Sequence, residues 1–323
     1  MQKTEPTARQ PVDCAIIGAG PAGLSAATWL RNLEIPFLLV EQEPSIGGDV
    51  EHIHGPITNY LGVRAVDGHA FMTEVRHQIE ADGLPVLCGR RVLRIEPVQR
   101  TVHLPDLCIE ARSLVLAMGL RRRELPLPAL DRFRGAGVTL SATNDLDHIR
   151  GHAVAVVGGG DGAVENALIL ADLCPRVHLI VRSSTPHGRR SFFERARAHA
   201  RIAVHMSCEV VDADGDDNGL SAIRVCGPAA DDWIPVRHLV TKIGFAPNVE
   251  AIVPGALTLN RDGYVVTDAY MRTSVPGVFA TGDLRNPRSP SLAAAVGDGA
   301  LAAREVAFHL GRLVPPDERE RLP

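Results

Sequence analysis

Two glycine clusters, each set between an apolar run and a helical pattern, constrain this chain more than any other feature. The first run, Cys14-Ala15-Ile16-Ile17, enters Gly18-Ala19-Gly20-Pro21-Ala22-Gly23, after which apolar residues recur with helical period to Leu33. Glycine permits the tight turn and lets backbone N–H groups approach a pyrophosphate at the positive end of the following helix. A second run, Phe37-Leu38-Leu39-Val40, ends at Glu41, about twenty residues past the glycines, where a carboxylate accepts the two hydroxyls of an adenosine ribose. Strand before, helix after and an acid at that distance favour a dinucleotide site over a ligand-free turn.

The pattern returns at Val154-Ala155-Val156-Val157-Gly158-Gly159-Gly160-Asp161-Gly162-Ala163, followed by an apolar helical stretch to Leu173. Its partner strand, Val177 to Val181, ends in Arg182 rather than an acid, with Arg189 and Arg190 further on. A carboxylate would repel a ribose 2′-phosphate, whereas a guanidinium binds it through charge-assisted bonds, so this half is expected to take NADPH. Arg189 and Arg190 also fit a solvated basic loop.

A third motif, Val278-Phe279-Ala280-Thr281-Gly282-Asp283, places an aspartate after a strand and a glycine, suited to a ribityl hydroxyl. Beyond it a small-residue helix from Ser291 to Leu310 presents Ser291 and Leu292 at the end that would face a flavin pyrimidine ring. Together with Ala117-Met118-Gly119 and the Gly47-Gly48-Asp49 turn, these pieces resemble the thioredoxin-reductase-like branch of the pyridine nucleotide–disulfide oxidoreductases over nearly the whole chain. The resemblance implies an α/β fold of two Rossmann-like, three-layer ββα domains: an FAD domain at 1–119 and 247–323, and an NADPH domain at 120–246 inserted in it. It also implies a homodimer, a Gly48 turn beside the isoalloxazine, and two connections acting as a hinge pair.

One piece of the family pattern is missing. Ser141-Ala142-Thr143-Asn144-Asp145 stands where the family carries Cys-Ala-Thr-Cys-Asp, at matching distance from Gly158, so Ser141 and Asn144 occupy the places of the two sulfurs. By resemblance Asp145 protonates a departing thiolate or relays a proton to the flavin; as residue types Asn144 or Asp145 also suit the N-cap of a helical turn at Leu146-Asp147-His148-Ile149. His52 and His54, after the glycine turn, fit either proton carriers near the flavin or loop surface, and His148 and His152 fit solvated positions. The expected reaction is NADPH-dependent reduction of a small-molecule disulfide directly from the reduced flavin, as in bacillithiol-disulfide-reductase-like relatives. The alternative is a ferredoxin or flavodoxin–NADP reductase of the same type, for which Arg121 to Arg123 and Arg189 to Arg201 would offer the basic docking face; the tail from Val314 to Pro323 has no aromatic ring to cover the flavin. A non-catalytic flavin sensor is disfavoured by two intact nucleotide fingerprints.

The remaining composition narrows the function classes. A net charge of −4 over 323 residues gives no electrostatic footprint for nucleic acid or an anionic membrane. No apolar run approaches a membrane span, and Met1 to Asp13 lacks a signal core, so a cytoplasmic enzyme is expected. The 6 cysteines, Cys14, Cys88, Cys108, Cys174, Cys208 and Cys226, are too far apart for a redox dithiol or a zinc knuckle, and no metal site is expected. They suit reduced, buried thiols, with a lone cysteine reaching the flavin as the alternative. Asp212 to Gly219 resembles a calcium loop but lacks its glycine and glutamate, and suits a hairpin turn.

Overall fold

A computed structural model describes residues 8–139, 145–185, 187–228, 230–285 and 290–314. The chain divides into two compact units, Met1–Arg121 with Ala246–Pro323, and Arg122–Phe245.

The first unit opens with β1 (Ala8–Ile17), α1 (Pro21–Asn32), β2 (Phe37–Val40), α2 (Gly68–Ala81), β3 (Val86–Leu87), β4 (Arg94–Glu96), β5 (Thr101–His103) and β6 (Leu107–Leu116). β1 runs parallel to β2 and to β6, with Ile17 beside Val40 on one side and Leu116 on the other. Cys14 to Ile17 are apolar without interruption because both faces of this strand are covered. Cys14 and Ile16 point into a core with α1 and α2, while Ala15 and Ile17 point into a second core on the opposite face.

β7 (Leu120–Arg122) leads out of the first unit. The second unit contains β8 (Val138–Thr139), α3 (Leu146–Ile149), β9 (Val154–Val157), α4 (Asp161–Leu173), β10 (Val177–Val181), α5 (Arg190–Ala198), β11 (Ile202–Met206), β12 (Glu209–Asp216), β13 (Gly219–Gly227), β14 (Ala230–Pro235) and β15 (His238–Thr241). Its parallel sheet has the order β11-β10-β9-β15-β8. Val154, Val156, Leu179 and Val240 face α4 and α5, whereas Ala155, Val157, Ile180 and Leu239 face the antiparallel β12-β13-β14 layer. Three layers result from strands whose alternate side chains are all apolar. Asp212 to Gly219 forms the β12–β13 hairpin, turning at Asp217 and Asn218, with Gly219 at φ 108.

β16 (Phe245–Pro247) pairs with β7, so the two connections form a two-stranded sheet. β17 (Val278–Ala280) and α6 (Leu292–His309) complete the first unit. β6 is long enough to pair twice along one edge, Cys108 to Glu110 with β5 and Leu114 to Leu116 with β17. No helix among the described residues is long and apolar enough to cross a membrane.

The helix pair α1 and α6 packs at contact distance through small residues. A Cβ on Gly299 would lie 2.1 Å from the Ala22 carbonyl oxygen and 3.0 Å from the Ala26 nitrogen. Backbone cannot swing aside as a flexible side chain can, so Gly299→Ala is expected to destabilise the protein by about 1–3 kcal/mol. A Cβ on Gly297, two residues earlier and exposed, meets nothing within 4 Å. Gly297→Ala should stabilise by about 0.5–1 kcal/mol, the entropic difference between glycine and alanine in a helix. Urea unfolding midpoints of the two variants test the contrast.

Candidate active site

In the first unit a cleft of about 1080 Å³ opens at the carboxyl ends of β1, β2 and β6. Gly18, Gly20, Pro21, Ala22, Glu41, Gly48, His52, Gly119, Gly282 and Asp283 all line it. Gly18 adopts φ 102, and a Cβ there would lie 2.4 Å from the Ala117 carbonyl oxygen. Gly23 sits behind the cleft wall, its missing Cβ making room for the Gly18 carbonyl 1.9 Å away. At Gly20 a Cβ would meet nothing within 4 Å, so bare backbone faces the cleft at the start of α1. That surface suits a pyrophosphate.

Glu41 is 7% exposed and held from both sides, Oε2 accepting from the Ala19 N–H at 2.7 Å and Oε1 from the Glu43 N–H at 2.9 Å. Each oxygen keeps a lone pair for a ribose hydroxyl. Asp283 is half-buried, and burial, reinforced by the charges of Asp49 and Asp298, pushes its carboxyl up to about 6. Asp298 is compensated: Arg285 grips it through Nε at 2.8 Å and a terminal nitrogen at 2.9 Å, and the Gly282 N–H donates to it at 3.1 Å. Asp49, which lines the cleft directly after the paired glycines, went unread in the sequence as an acid facing Asp283.

Ser291 caps α6, its hydroxyl accepting from the Ala294 N–H at 3.3 Å, and Leu292 packs on the α1 core. Ala295, one turn into the helix, is the residue that lines the cleft. His52 lies on the cleft rim and is exposed, as is His54.

In the second unit Gly158 adopts φ 147, and a Cβ on it would meet the Lys242 carbonyl oxygen at 2.2 Å and the buried Ala163 side chain at 2.9 Å. Gly160 again presents bare backbone at the start of α4. Asp161, the first residue of α4, accepts from Arg189 Nε at 3.0 Å, and Arg189 also stacks on Phe192 at 3.6 Å. Arg190 pairs with Glu194 one turn along α5 at 2.8 Å. Arg182 is 85% exposed with Glu209 at 3.8 Å, the loosest pairing of the three guanidiniums. Exposed pairs of this kind are worth little and re-form readily around a phosphate.

Asp145 precedes α3 without capping it: its backbone carbonyl accepts from the His148 and Ile149 N–H groups, while its carboxylate accepts from the Thr139 hydroxyl. Of the two residues read as a side-chain cap, Asp145 therefore does not make one. His238 donates to the His148 carbonyl and faces His152 at 5.6 Å; burial, then His152, holds it below the usual histidine range. Ser141 and Asn144 lie outside the described residues. Among the described residues no group of His, Cys, Asp and Glu is placed to hold a metal. Burial pushes Cys14 up to about 12 and raises Cys88, Cys174 and Cys208, leaving each a poor thiolate.

The family model described as pyridine nucleotide-disulphide oxidoreductase matches residues 12–299. The chain belongs to that family. It is 30% identical to thioredoxin reductase from Peptoclostridium acidaminophilum over 302 residues, 91% of this chain and 95% of that protein. Its fold matches thioredoxin reductase from Lactococcus lactis with a TM-score of 0.83 at 27% identity, covering 94% of this chain and all of the other. The fold is shared too with bacillithiol disulfide reductase from Bacillus cereus, at a TM-score of 0.79 and 17% identity over 92% of this chain and 99% of that one. The family uses FAD and NADPH, and this member is an FAD-dependent oxidoreductase of the thioredoxin-reductase-like type. The bare backbone at Gly20 and Gly160, and the fixed carboxylate of Glu41, fit two dinucleotides.

The raised Asp283 carboxyl carries a sign that can be checked in the FAD-stripped protein. A folded value of about 6 against an ordinary 3.8 means that its contribution to stability is present below 3.8 and lost as pH rises through about 6. Asp283→Asn abolishes this titration. The stability of the variant relative to wild type should therefore grow as pH rises across that window, read from thermal midpoints at a series of pH values.

Proposed function

We propose that the enzyme uses NADPH to reduce a small-molecule disulfide, either a low-molecular-weight thiol dimer or a sulfur-containing metabolite, with no protein dithiol between cofactor and substrate. The observation that carries this reading is the replacement of both family cysteines by Ser141 and Asn144. Burial of Cys14, Cys174 and Cys208 supports it, since none offers an accessible thiolate in their place.

The overall reaction is NADPH + H⁺ + RSSR → NADP⁺ + 2 RSH. FAD, when bound, supplies the two-electron carrier between nucleotide and disulfide. The chain must hold the two nucleotides, and a proton must reach a departing thiolate. Asp145 is the assigned donor: with its backbone carbonyl serving α3, its carboxyl is held by the Thr139 hydroxyl and has no capping duty. Gly18, Gly20, Gly23, Glu41, Gly48, Gly119, Gly282 and Asp283 are assigned to FAD. Gly158, Gly160, Asp161, Ala163, Arg182, Arg189 and Arg190 are assigned to NADPH.

Asp145→Asn should slow NADPH-dependent disulfide reduction by roughly 10²–10⁴-fold while bleaching of the flavin by NADPH proceeds at the wild-type rate. Equal losses in both steps would remove Asp145 from proton delivery. A variant with all 6 cysteines replaced should keep disulfide reduction in whatever fraction folds with FAD bound. Rapid reduction of ferredoxin with no small disulfide turned over would overturn the substrate class.

A further inference from the structure

The second unit carries a cation that none of the glycine or arginine motifs includes. Lys242 is the first residue after β15, and β15 lies next to β9 at the point where the strand order β11-β10-β9-β15-β8 reverses direction. In open parallel sheets ligands bind at the carboxyl ends of the strands at that reversal. Lys242 is fixed there by its backbone: its N–H donates to the Val157 carbonyl at 2.8 Å, and its own carbonyl fills the space that a Cβ on Gly158 would need, 2.2 Å away. The register Thr241 beside Val157 continues into this contact, so Lys242 flanks the glycine loop.

Side-chain alternation gives its direction. Leu239 points into the core under β12-β13-β14, and Val240 into the core under α4. Lys242, two residues past Val240, is on the α4 side. Two charges act on it, Arg122 of the incoming connection disfavouring its charged form and Glu165 in the second turn of α4 favouring it, while Asp161 at the start of α4 is engaged by Arg189. An amine bracketed in this way, beside Gly158 and the bare backbone of Gly160, faces the place where a dinucleotide pyrophosphate crosses the loop.

We propose that Lys242 binds the pyrophosphate of NADPH and makes the affinity of the second unit for the nucleotide depend on pH above neutrality. The proposal rests on the assignment of the second glycine fingerprint to NADPH. Burial, reinforced by Arg122 and opposed by Glu165, draws the amine down to about 8 in the ligand-free protein. Its charge is therefore lost as pH rises past that value, and with it the contact.

Calorimetric titration of NADP⁺ into the oxidised, FAD-loaded protein tests this without turnover. For the wild type, affinity at about pH 9.5 should be well below that at about pH 7, because the ammonium has lost its proton. Lys242→Ala should bind about 10–100-fold more weakly near neutrality and show little of the fall, as expected for loss of one charge-assisted bond. Lys242→Arg, which stays charged throughout, should retain affinity at both pH values, and it keeps the test decisive if the alanine variant folds poorly. Wild-type affinity in Lys242→Ala, or an undiminished pH dependence in Lys242→Arg, overturns the role of Lys242 alone. No NADP⁺ binding by the wild type overturns the assignment of the second fingerprint as well.

Discussion

A carbonyl oxygen lying where a side chain would begin is the constraint on which both nucleotide-binding units depend. At Gly18 the oxygen belongs to Ala117, 2.4 Å from the position of a Cβ, and at Gly158 it belongs to Lys242, 2.2 Å away. In each case the residue that intrudes follows the strand next to the one ending in the glycine, β6 beside β1 and β15 beside β9. Closing the two strand ends together lets the helix begin within a few residues, and Gly20 and Gly160 then expose backbone donors where α1 and α4 start. Any side chain at Gly18 or Gly158 would push neighbouring strands apart and remove the anion site with the same movement.

Given that shared frame, the units differ in the charges placed around it. The first unit ends β2 in Glu41, a carboxylate fixed by two backbone donors and suited to a ribose with free hydroxyls. The second ends β10 in Arg182 and carries Arg189 and Arg190 nearby, in exposed pairs with Glu209, Asp161 and Glu194, Arg189 also stacking on Phe192. Exposed pairs cost little to exchange for a phosphate. Around the first cleft the acids are graded: Asp298 is neutralised by Arg285, whereas Asp283 has burial and Asp49 against its ionisation.

Much of this frame is legible in the sequence because it follows from short-range rules. Uninterrupted apolar runs such as Val154 to Val157 have no polar face to turn to water and so mark parallel strands covered on both sides. Glycines at fixed offsets mark where those strands meet helices. What escaped is what distant segments bring together. The β12-β13-β14 layer is built from polar-looking stretches such as Glu209 to Asp216, in which only Val210 and Ala213 are buried, and of it only the hairpin turn was readable. From α6 Ala295 lines the cleft, while Ser291 caps the helix, a division that the run of small residues does not announce. Asp49 and Lys242 gain their significance only from the neighbours that folding supplies.

The central claim is that electrons leave this enzyme without passing through a protein dithiol. Anaerobic titration of the FAD-loaded protein with a calibrated reductant, followed by flavin absorbance and by counting thiols after denaturation, addresses it most directly. The account predicts that uptake ends at one electron pair per FAD, with all 6 cysteines already free before reductant is added. Uptake of a second pair, accompanied by the appearance of new thiols, would reveal a redox-active disulfide and contradict it.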